Sequence, residues 1–215
     1  MTDERSIAQS RRDYVRGPLE LEELDEDAIV QFQRWFEEAC THIDVEPNAK
    51  TRATVDREGA PAVRTVLLKF FDQEGFVFFT NLESRKAEHI DGNRHVALLF
   101  WWPELERQIE INGVAERISS AEAAKYFMTR PRGSQLGAWV SHQSRVLTSR
   151  KALEMKLDEM KRKFLNRKVP LPSFWGGYRV VPSSIELWQG QPNRLHDRFK
   201  YEREGSGWRV VRLAP

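Results

Sequence analysis

The stretch Val63-Arg-Thr-Val-Leu-Leu-Lys-Phe-Phe-Asp-Gln-Glu-Gly-Phe-Val-Phe-Phe-Thr-Asn-Leu-Glu-Ser-Arg-Lys-Ala-Glu-His-Ile90 contains the change of pattern on which the fold class depends. Two runs rich in β-branched and aromatic residues, Val63–Phe71 and Phe76–Thr80, are separated by the turn sequence Asp-Gln-Glu-Gly. This arrangement predicts two antiparallel strands. Ser84 is a residue type favoured at helix starts, and it predicts a short helix as far as Ile90. The stretch therefore indicates an antiparallel sheet that leads directly into a helix.

Further strand-like segments lie on both sides of this stretch. Thr51–Val55 is expected to form a hairpin with Val63–Phe71 through the turn Asp56-Arg-Glu-Gly59. Short turn sequences also separate most of the later segments, as expected for antiparallel strands. The remaining predicted strands are His95–Trp102, Arg107–Ile118, Tyr178–Pro182, Ser184–Gln189, Arg198–Glu202 and Trp208–Leu213.

Three longer helices are predicted from helical spacing of apolar residues, and they lie between groups of strands. The first covers Asp27–Cys40 and the third Ser149–Lys168. The second ends at Thr129 and starts after Ser119, which forms a capping-box pattern with Glu122. Because the helices do not alternate with the strands, the pattern predicts an α+β fold, a closed or split antiparallel barrel with peripheral helices.

The composition excludes several classes of protein. Of 215 residues, 40% are hydrophobic, and 12 Gly and 10 Pro are too few for a collagen or a low-complexity chain. The single cysteine, Cys40, cannot form an intrachain disulfide, and the longest apolar run, Val96–Trp102, is far shorter than the about 20 residues that span a bilayer. The acidic N-terminus lacks the apolar segment of a signal peptide. We therefore expect a cytoplasmic protein with a mobile N-terminal arm (1–20) and one domain (21–215).

The charge is unevenly distributed although the net charge is only +2. Residues 1–50 contain 6 Lys or Arg and 13 Asp or Glu, whereas residues 125–168 contain 12 basic and 3 acidic side chains. The basic excess indicates an anionic partner, either nucleic acid or a phosphorylated small molecule. For residues 151–168 a solvated helix face explains the charge equally well.

Common catalytic and cofactor motifs are missing from the sequence. It contains no G-x-G-x-x-G, Walker, H-E-x-x-H or C-x-x-C motif, and its 5 histidines are scattered singly. Ser134 directly follows a glycine, so it does not match a nucleophile elbow. No metal site is expected.

Three clusters of cationic and polar residues predict anion binding. In the first, Thr80-Asn81 ends a strand just before Ser84-Arg-Lys86 at a helix start, an arrangement suited to phosphate. The second cluster contains Lys125, Tyr126, Arg130, Arg132 and Ser134. The third contains Trp188 and the run Arg194-Leu-His-Asp-Arg198, which suit a flat or anionic ring system. Surface ion pairs and ordinary core packing are the structural alternatives for all three.

These residues belong to motifs that occur in the same order in a known family. The motifs are Arg64-Thr-Val-Leu-Leu-Lys69, Phe79-Thr-Asn-Leu-Glu-Ser-Arg-Lys86, Leu105-Glu-Arg-Gln108, Arg130-Pro-Arg132, Gln135-Leu-Gly-Ala-Trp-Val-Ser141, Pro170-Leu-Pro-Ser-Phe-Trp-Gly-Gly-Tyr178, Trp188-Gln-Gly190, Arg194-Leu-His-Asp-Arg198 and Arg212-Leu-Ala-Pro215. From about Arg11 to Pro215 the sequence resembles pyridoxamine 5′-phosphate oxidases. The resemblance implies a split β-barrel homodimer with one FMN per subunit at the subunit interface.

The resemblance also implies the role of individual residues. The implied FMN-binding residues, some contributed by the second subunit, are Arg64, Thr65, Val66, Leu67, Phe79, Thr80, Arg85, Lys86, Gln108, Gln143, Ser144, Trp188 and Arg198. The implied substrate-binding residues are Arg11, Arg12, Asp13 and Tyr14 in the N-terminal arm, Lys69, Tyr126, Arg130 and Ser134 at the substrate phosphate, and Arg194, Leu195 and His196 at the pyridine ring. Arg194 and His196 are also the implied catalytic residues. Phe79 stands where the family commonly has tyrosine.

The implied activity is the FMN-dependent oxidation of pyridoxamine 5′-phosphate and pyridoxine 5′-phosphate by O2. The products are pyridoxal 5′-phosphate and hydrogen peroxide, with ammonia from the amine substrate. Neither a nucleic acid nor a membrane is an expected partner. The alternatives are a flavin- or pyridoxal-phosphate-binding protein without turnover, a nucleic-acid binder that uses residues 125–168, and an enzyme whose flavin is reduced by a nicotinamide cofactor.

Overall fold

A computed structural model describes residues 13–141 and 143–215, which form two compact units. The first unit comprises the chain up to Asn48 together with Leu99–Ile111 and Ser184–Pro215, and the second comprises Ala49–Leu98 and Asn112–Ser183. Arg11 and Arg12, both expected to bind substrate, lie outside the described residues.

The described residues contain antiparallel strands and short helices. The helices are α1 (Ala28–His42), α2 (Arg85–Gly92), α3 (Ser120–Thr129), α4 (Arg132–Val140) and α5 (Arg150–Lys163). The strands are β1 (Ala49–Val55), β2 (Pro61–Leu67), β3 (Phe70–Asp72), β4 (Gly75–Asn81), β5 (His95–Trp102), β6 (Arg107–Arg117), β7 (Trp175–Gln189), β8 (Asp197–Glu204) and β9 (Gly207–Leu213).

In the second unit the strands follow the order β2-β1-β5-β6-β7-β4-β3. The predicted hairpin of β1 and β2 is confirmed, with Val55 opposite Pro61 and Ala49 opposite Leu67. β4 pairs with both β3 and β7, and all these pairs are antiparallel. The expected α+β arrangement is therefore present.

In the first unit β8 pairs with β7 and β9, and aromatic residues form much of the core. Helix α1 buries Phe32 and Trp35, and the ring of Phe32 lies 5.3 Å from that of Phe100. Asp27 caps this helix because its carboxylate accepts hydrogen bonds from the backbone N–H groups of Ile29 and Val30.

Two predicted strand boundaries are wrong because strands change partners there. The predicted strand Val63–Phe71 is two strands, since β2 pairs with β1 whereas β3 pairs with β4. Conversely, β7 continues through Pro182, where two strands were predicted. Its first half pairs with β4 and its second half with β8, so Pro182 lies between the two sets of partners.

The helix predictions also need three corrections. Helix α4 was not predicted, because Gly133 and Gly137 weaken the helical signal of its sequence. Helix α5 ends at Lys163, before the predicted end at Lys168. Ser84 precedes α2 as expected, but its hydroxyl donates to the carbonyl oxygen of Asn81 at 2.6 Å and makes no side-chain cap bond.

A buried cluster in the second unit joins α3, α4 and the segment after α5 to the start of β7. Its members are Ala123, Phe127, Leu136, Phe164, Val169 and Trp175. These residues come from α3, α4, β7 and the segment that follows α5, so the cluster determines where α3 and α4 present their polar residues. None of the helices in the described part of the chain is long and apolar enough to cross a membrane.

Gly113 marks a close approach of β6 to β7 within the second unit. A Cβ atom at this position would lie 2.2 Å from the carbonyl oxygen of Val181. We expect Gly113→Ala to destabilise the protein by about 1–3 kcal/mol, since backbone must move to relieve the overlap. Thermal unfolding followed by circular dichroism measures this effect.

Gly133→Ala is the matched control for this substitution. Nothing lies within 4 Å of a Cβ at Gly133, which is in α4. Alanine there should stabilise the helix by up to about 1 kcal/mol. Equal unfolding temperatures for both variants would contradict the close approach of β6 and β7.

Candidate active site

One cavity in the second unit brings together most of the predicted ligand-binding residues. Its volume is about 740 Å³. Its lining residues are Arg64, Thr65, Val66, Leu67, Lys69, Phe79, Thr80, Asn81, Arg85, Lys86, Tyr126, Arg130, Ser134, Gly137, Ala138, Ser141, Gln143, Ser144 and Trp175. They come from β2 and the residues after it, from the end of β4 and the start of α2, from α3, α4 and the segments that follow each of them, and from the start of β7.

The cavity is strongly cationic. Five of its lining residues, Arg64, Lys69, Arg85, Lys86 and Arg130, are Lys or Arg, and in the described part of the chain none of the lining residues is Asp or Glu. Such a surface attracts anions, and phosphate in particular accepts strong hydrogen bonds from guanidinium and ammonium groups.

Uncharged groups hold two of these cations at the end of the cavity formed by β4 and α2. The ammonium of Lys86 donates to Oε1 of Gln143 and, at 3.2 Å, to the hydroxyl of Ser84. The hydroxyl of Thr80 donates to the same Gln143 oxygen at 3.2 Å. Arg64 donates to the hydroxyl of Thr54 at 2.6 Å. These partners orient the cations without neutralising their charge.

Burial and neighbouring positive charges lower the pKa of both cations. The pKa of Lys86 is lowered to about 8, because burial disfavours the charged ammonium and because Arg52 and Arg64 repel it. The pKa of Arg64 is lowered by burial and then by the charge of Arg85. A bound dianion would oppose both effects.

Aromatic rings surround the cation at the α3 end of the cavity. The ring of Phe79 is nearly parallel to those of Tyr126, 4.0 Å away, and Trp175, 5.2 Å away. The guanidinium of Arg130 lies 4.9 Å from the centre of the Trp175 ring. Its Nη1 is buried and has no hydrogen-bond partner among residues 13–141 and 143–215. Within the described residues, the guanidinium of this lining residue therefore has one unsatisfied donor.

Sequence reasoning missed four of the lining residues. They are Gly137, Ala138, Ser141 and Trp175. Three of them follow Ser134 at helical spacing, a signal that becomes readable only when α4 is recognised as a helix. The ring of Phe79 packs on the rings of Tyr126 and Trp175, and a tyrosine ring at this position would make the same ring contacts.

A second group of predicted residues lies in the first unit. Tyr14, Trp188 and His196 form an aromatic cluster, with Tyr14 edge-on to each of the other two rings at 5.5 Å. The rings of Trp188 and His196 lie 4.6 Å apart. Nδ1 of His196 lies 3.0 Å from the backbone N–H of Gln191, which can only donate. The neutral imidazole therefore carries its proton on Nε2.

The surroundings of His196 favour this neutral form. Its pKa is lowered by burial and by the charge of Arg194, whereas Asp197 acts in the opposite direction. Arg194 and Leu195 are exposed, and Arg194 has a left-handed backbone conformation with φ 64°. The Nε2–H group is thus available as a hydrogen-bond donor.

The other predicted residues of the first unit lie outside the aromatic cluster of Tyr14, Trp188 and His196. The guanidinium of Arg198 donates to Glu186 and to the carbonyl oxygen of Ala214, both at 2.8 Å. The carboxylate raises the pKa of Arg198. Gln108 is half-buried on β6, and Asp13 is exposed.

The segment after Asp13 is hydrogen-bonded within the first unit. The backbone N–H groups of Val15 and Arg16 donate to the buried carboxylate of Glu106 at 2.9 and 3.1 Å. The N–H of Leu19 donates to Asp197 at 3.0 Å. The mobility expected for residues 1–20 stays a prediction.

Comparison with known proteins relates these two groups of residues to one family. The pattern of the family described as pyridoxamine 5′-phosphate oxidase matches residues 36–164, more than half of the chain. The chain belongs to this family. Residues 175–215 match the family's pyridoxine 5′-phosphate oxidase C-terminal dimerisation region, which supports a homodimer.

Individual relatives cover the whole chain. A pyridoxine/pyridoxamine 5′-phosphate oxidase of Rippkaea orientalis is 56% identical over 97% of this chain and 99% of its own length. A protein of the same name from Shewanella amazonensis is 54% identical over 100% of both chains. The predicted cofactor FMN and the predicted oxidation of the two phosphorylated vitamers are confirmed at the level of the family.

Two solved structures confirm the fold as an antiparallel split barrel. PhzG from Burkholderia lata 383, crystallised with tetrahydrophenazine-1-carboxylic acid, has a TM-score of 0.87 and 30% identity, and the match covers 94% of this chain and 99% of that chain. A pyridoxamine 5′-phosphate oxidase-related, FMN-binding protein from Nostoc punctiforme has a TM-score of 0.69 and 17% identity, and the match covers 86% of this chain and 97% of that chain.

The chemistry of the cavity fits FMN. FMN combines a phosphate dianion with a flat aromatic ring system, and the cavity combines five cations, with no carboxylate among the described lining residues, with near-parallel aromatic rings. The backbone of β2 from Thr65 to Leu67 also lines the cavity and presents no charged side chain there. The donor set is thus appropriate for a phosphorylated flavin.

The lowered pKa of Lys86 predicts that FMN binding depends on pH. Since the phosphate dianion favours the charged ammonium, the Kd should vary little between about pH 7, where the phosphate is already mostly a dianion, and the free protein's Lys86 pKa of about 8. Above that pKa it should rise by up to about tenfold per pH unit, as Lys86 loses its proton before FMN binds. Fluorescence titration of the apoprotein with FMN at several pH values measures this dependence.

Lys86→Arg is the control, since a guanidinium keeps its proton throughout this range. The variant should show little change of Kd between pH 7 and pH 9 (about one unit either side of the Lys86 pKa). The same rise in both proteins would assign the titration to another group.

Proposed function

We propose that the cavity of the second unit holds both the FMN and the phosphorylated pyridine substrate of the family's oxidation. The observation that carries this proposal is the set of five cations around one cavity with no lining carboxylate in the described residues. Two phosphate esters, each with nearly two negative charges, match such a set.

The FMN phosphate is assigned to the end formed by β2, β4 and α2. Arg64, Arg85 and Lys86 supply the positive charge. Gln143 accepts hydrogen bonds from Lys86 and from Thr80, and these bonds fix the position of the Lys86 ammonium. Since Arg85 and Lys86 are the first residues of α2, their backbone N–H groups also lie at the positive end of a helix.

The substrate phosphate is assigned to the α3 end of the cavity. The residues there are Lys69, Tyr126, Arg130 and Ser134. Nη1 of Arg130 is buried and has no acceptor among the described residues, which supports this assignment because a buried guanidinium nitrogen without an acceptor is costly in the free protein. Because the protein holds the substrate by a phosphate remote from the reacting carbon, this contact orients the substrate for catalysis.

The aromatic cluster of the first unit is assigned to the subunit interface. Trp188, Arg194, His196 and Arg198 all lie within the matched dimerisation region, residues 175–215. This location supports the expectation that these residues act where two subunits meet and that FMN binds at that interface. Gln108 is assigned to FMN, and the arm residues Arg11, Arg12, Asp13 and Tyr14 are assigned to the substrate.

FMN supplies the two-electron redox chemistry, and O2 serves as the final acceptor with release of hydrogen peroxide. Arg194 holds the pyridine ring in position, and the Nε2–H group of His196 donates to a polar substituent of that ring. Arg198 places positive charge near the flavin ring and favours its reduced, more negative form. A guanidinium is too basic to accept a proton, so Arg194 and Arg198 act as orienting and electrostatic groups.

The basic helix α5 is assigned to solvent and not to nucleic acid. It buries none of its residues, and part of its charge is paired within the helix, as in Arg150–Glu154 and Lys161–Asp158. This supports the solvated helix face over a nucleic-acid surface. We also retain the cytoplasm as the expected compartment.

The decisive experiment for the function separates turnover from simple flavin binding. The purified protein should be yellow, and anaerobic addition of pyridoxine 5′-phosphate should bleach the flavin absorbance. Air should restore the colour with release of one hydrogen peroxide per pyridoxal 5′-phosphate. A yellow protein whose flavin stays oxidised would instead be a flavin-binding protein without turnover, and reduction by NADH alone would favour the nicotinamide alternative.

Lys69→Ala tests the substrate phosphate site. Loss of one charge-assisted hydrogen bond should raise the KM for pyridoxine 5′-phosphate by about 10- to 100-fold. The Kd of FMN should change little, because the two phosphates are assigned to different ends of the cavity. Steady-state kinetics and FMN titration measure the two constants.

Lys125→Ala is the matched control, since Lys125 is exposed on α3 and does not line the cavity. Its KM should equal that of the unmodified protein. An unchanged KM in Lys69→Ala would remove Lys69 from the substrate site.

A further inference from the structure

Two buried polar residues connect the arginines of the proposed FMN phosphate site from behind. His89 on α2 is 5% exposed and Thr54 on β1 is 1% exposed. Neither residue lines the cavity of about 740 Å³, and none of the assignments above uses them. Both contact residues that do line it.

The direction of each hydrogen bond follows from the chemistry of arginine. Nε of Arg85 lies 3.3 Å from Nε2 of His89. A guanidinium can only donate, so Nε2 of His89 is the acceptor and the neutral imidazole carries its proton on Nδ1. That Nδ1 lies 3.2 Å from the hydroxyl oxygen of Thr54, which therefore accepts.

The same hydroxyl oxygen also binds the second arginine. Nη1 of Arg64 donates to Oγ1 of Thr54 at 2.6 Å and to the backbone oxygen of Arg52 at 3.3 Å. A continuous chain of hydrogen bonds thus runs from Arg85 through His89 and Thr54 to Arg64. It joins α2 to β1 and β2 within the second unit.

We propose that His89 and Thr54 are positioning residues that hold the guanidinium groups of Arg85 and Arg64 for the phosphate of FMN. The proposal deepens the proposed function and rests on its assignment of the FMN phosphate. The expected consequence is selectivity for the phosphorylated flavin over riboflavin.

The chain of hydrogen bonds from Arg85 to Arg64, called the bridge below, passes through two neutral side chains. This neutrality explains why histidine and threonine suit these positions. Arg64 and Arg85 are close enough that the charge of Arg85 lowers the pKa of Arg64. A carboxylate between them would hold both groups, but it would also cancel charge that the phosphate needs. An imidazole and a hydroxyl orient the two cations and leave their charge available.

The geometry of α2 makes the first link of the bridge. Residues 85 and 89 are four apart in a helix, so their side chains lie on one face. Arg85 is the first residue of α2, and its side chain is directed along this face towards His89. The second link depends on β1, where Thr54 is a buried residue of an alternating pattern.

The experiment compares FMN with riboflavin in the apoprotein of each variant. Thr54→Val removes the hydroxyl with little change of shape, and His89→Leu removes both ring nitrogens. Each should raise the Kd of FMN by about tenfold and leave the Kd of riboflavin within about twofold, because only FMN contacts the two arginines through a phosphate. A role in folding alone would weaken both ligands equally.

Conservative variants and a double variant make the test specific. Thr54→Ser keeps the hydroxyl and His89→Gln keeps an acceptor for Arg85, so both should bind FMN nearly as the unmodified protein does. The double variant Thr54→Val with His89→Leu should lose less than the sum of the two single losses, since both residues belong to one chain of bonds. Thr51→Val, on the other face of β1, and His95→Gln, exposed on β5, are the matched controls.

The outcomes separate this inference from the proposed function. If the unmodified protein prefers FMN over riboflavin and Thr54→Val keeps the full preference, the positioning role is overturned and the phosphate site stands. Equal weakening of FMN and riboflavin in Thr54→Val also overturns it. If the unmodified protein binds FMN no more tightly than riboflavin, the phosphate assignment itself is overturned.

Discussion

The burial of like charges close together is the constraint on which the site depends. Arg64, Arg85 and Lys86 lie around a cavity that has no lining carboxylate in the described residues, and burial disfavours the charges of Arg64 and Lys86, with repulsion from neighbouring cations adding to that cost. The lowered pKa of Lys86 reflects both effects in the free protein. A phosphate dianion relieves it, so the arrangement favours a phosphorylated ligand over its neutral counterpart.

The scaffold meets this constraint by using neutral hydrogen-bond partners. Gln143, Ser84 and Thr54 accept from the cations through amide and hydroxyl oxygens. These groups come from a loop, from the start of α2 and from β1, so antiparallel pairing and the helix position are both needed to bring them together. The packing of α3 and α4 on Trp175 places the second cation group, which contains Arg130.

The family matches and the geometry of the site indicate the same kind of chemistry. Each of the two family matches contains a different group of site residues. The match over residues 36–164 includes nearly every residue that lines the cavity, whereas the match over residues 175–215 contains the aromatic cluster of Trp188 and His196. The dimerisation match supports a homodimer, and our proposal that residues 175–215 complete a neighbouring subunit's site would give both regions a common role. The neutral His196 with its proton on Nε2 fits a role as a hydrogen-bond donor to substrate.

The sequence alone determined the fold class, the β1–β2 hairpin, the Ser119 cap and the family motifs, because period-two patterns, turn residues and capping residues act over a few neighbouring positions. It did not determine where strands change partners, as at Leu68 and Pro182, since pairing between distant strands is set by tertiary contacts. Helix α4 and the bridge of His89 and Thr54 were likewise decided by tertiary structure. The two bridge residues are 35 positions apart, and only the folded sheet brings them within hydrogen-bond distance.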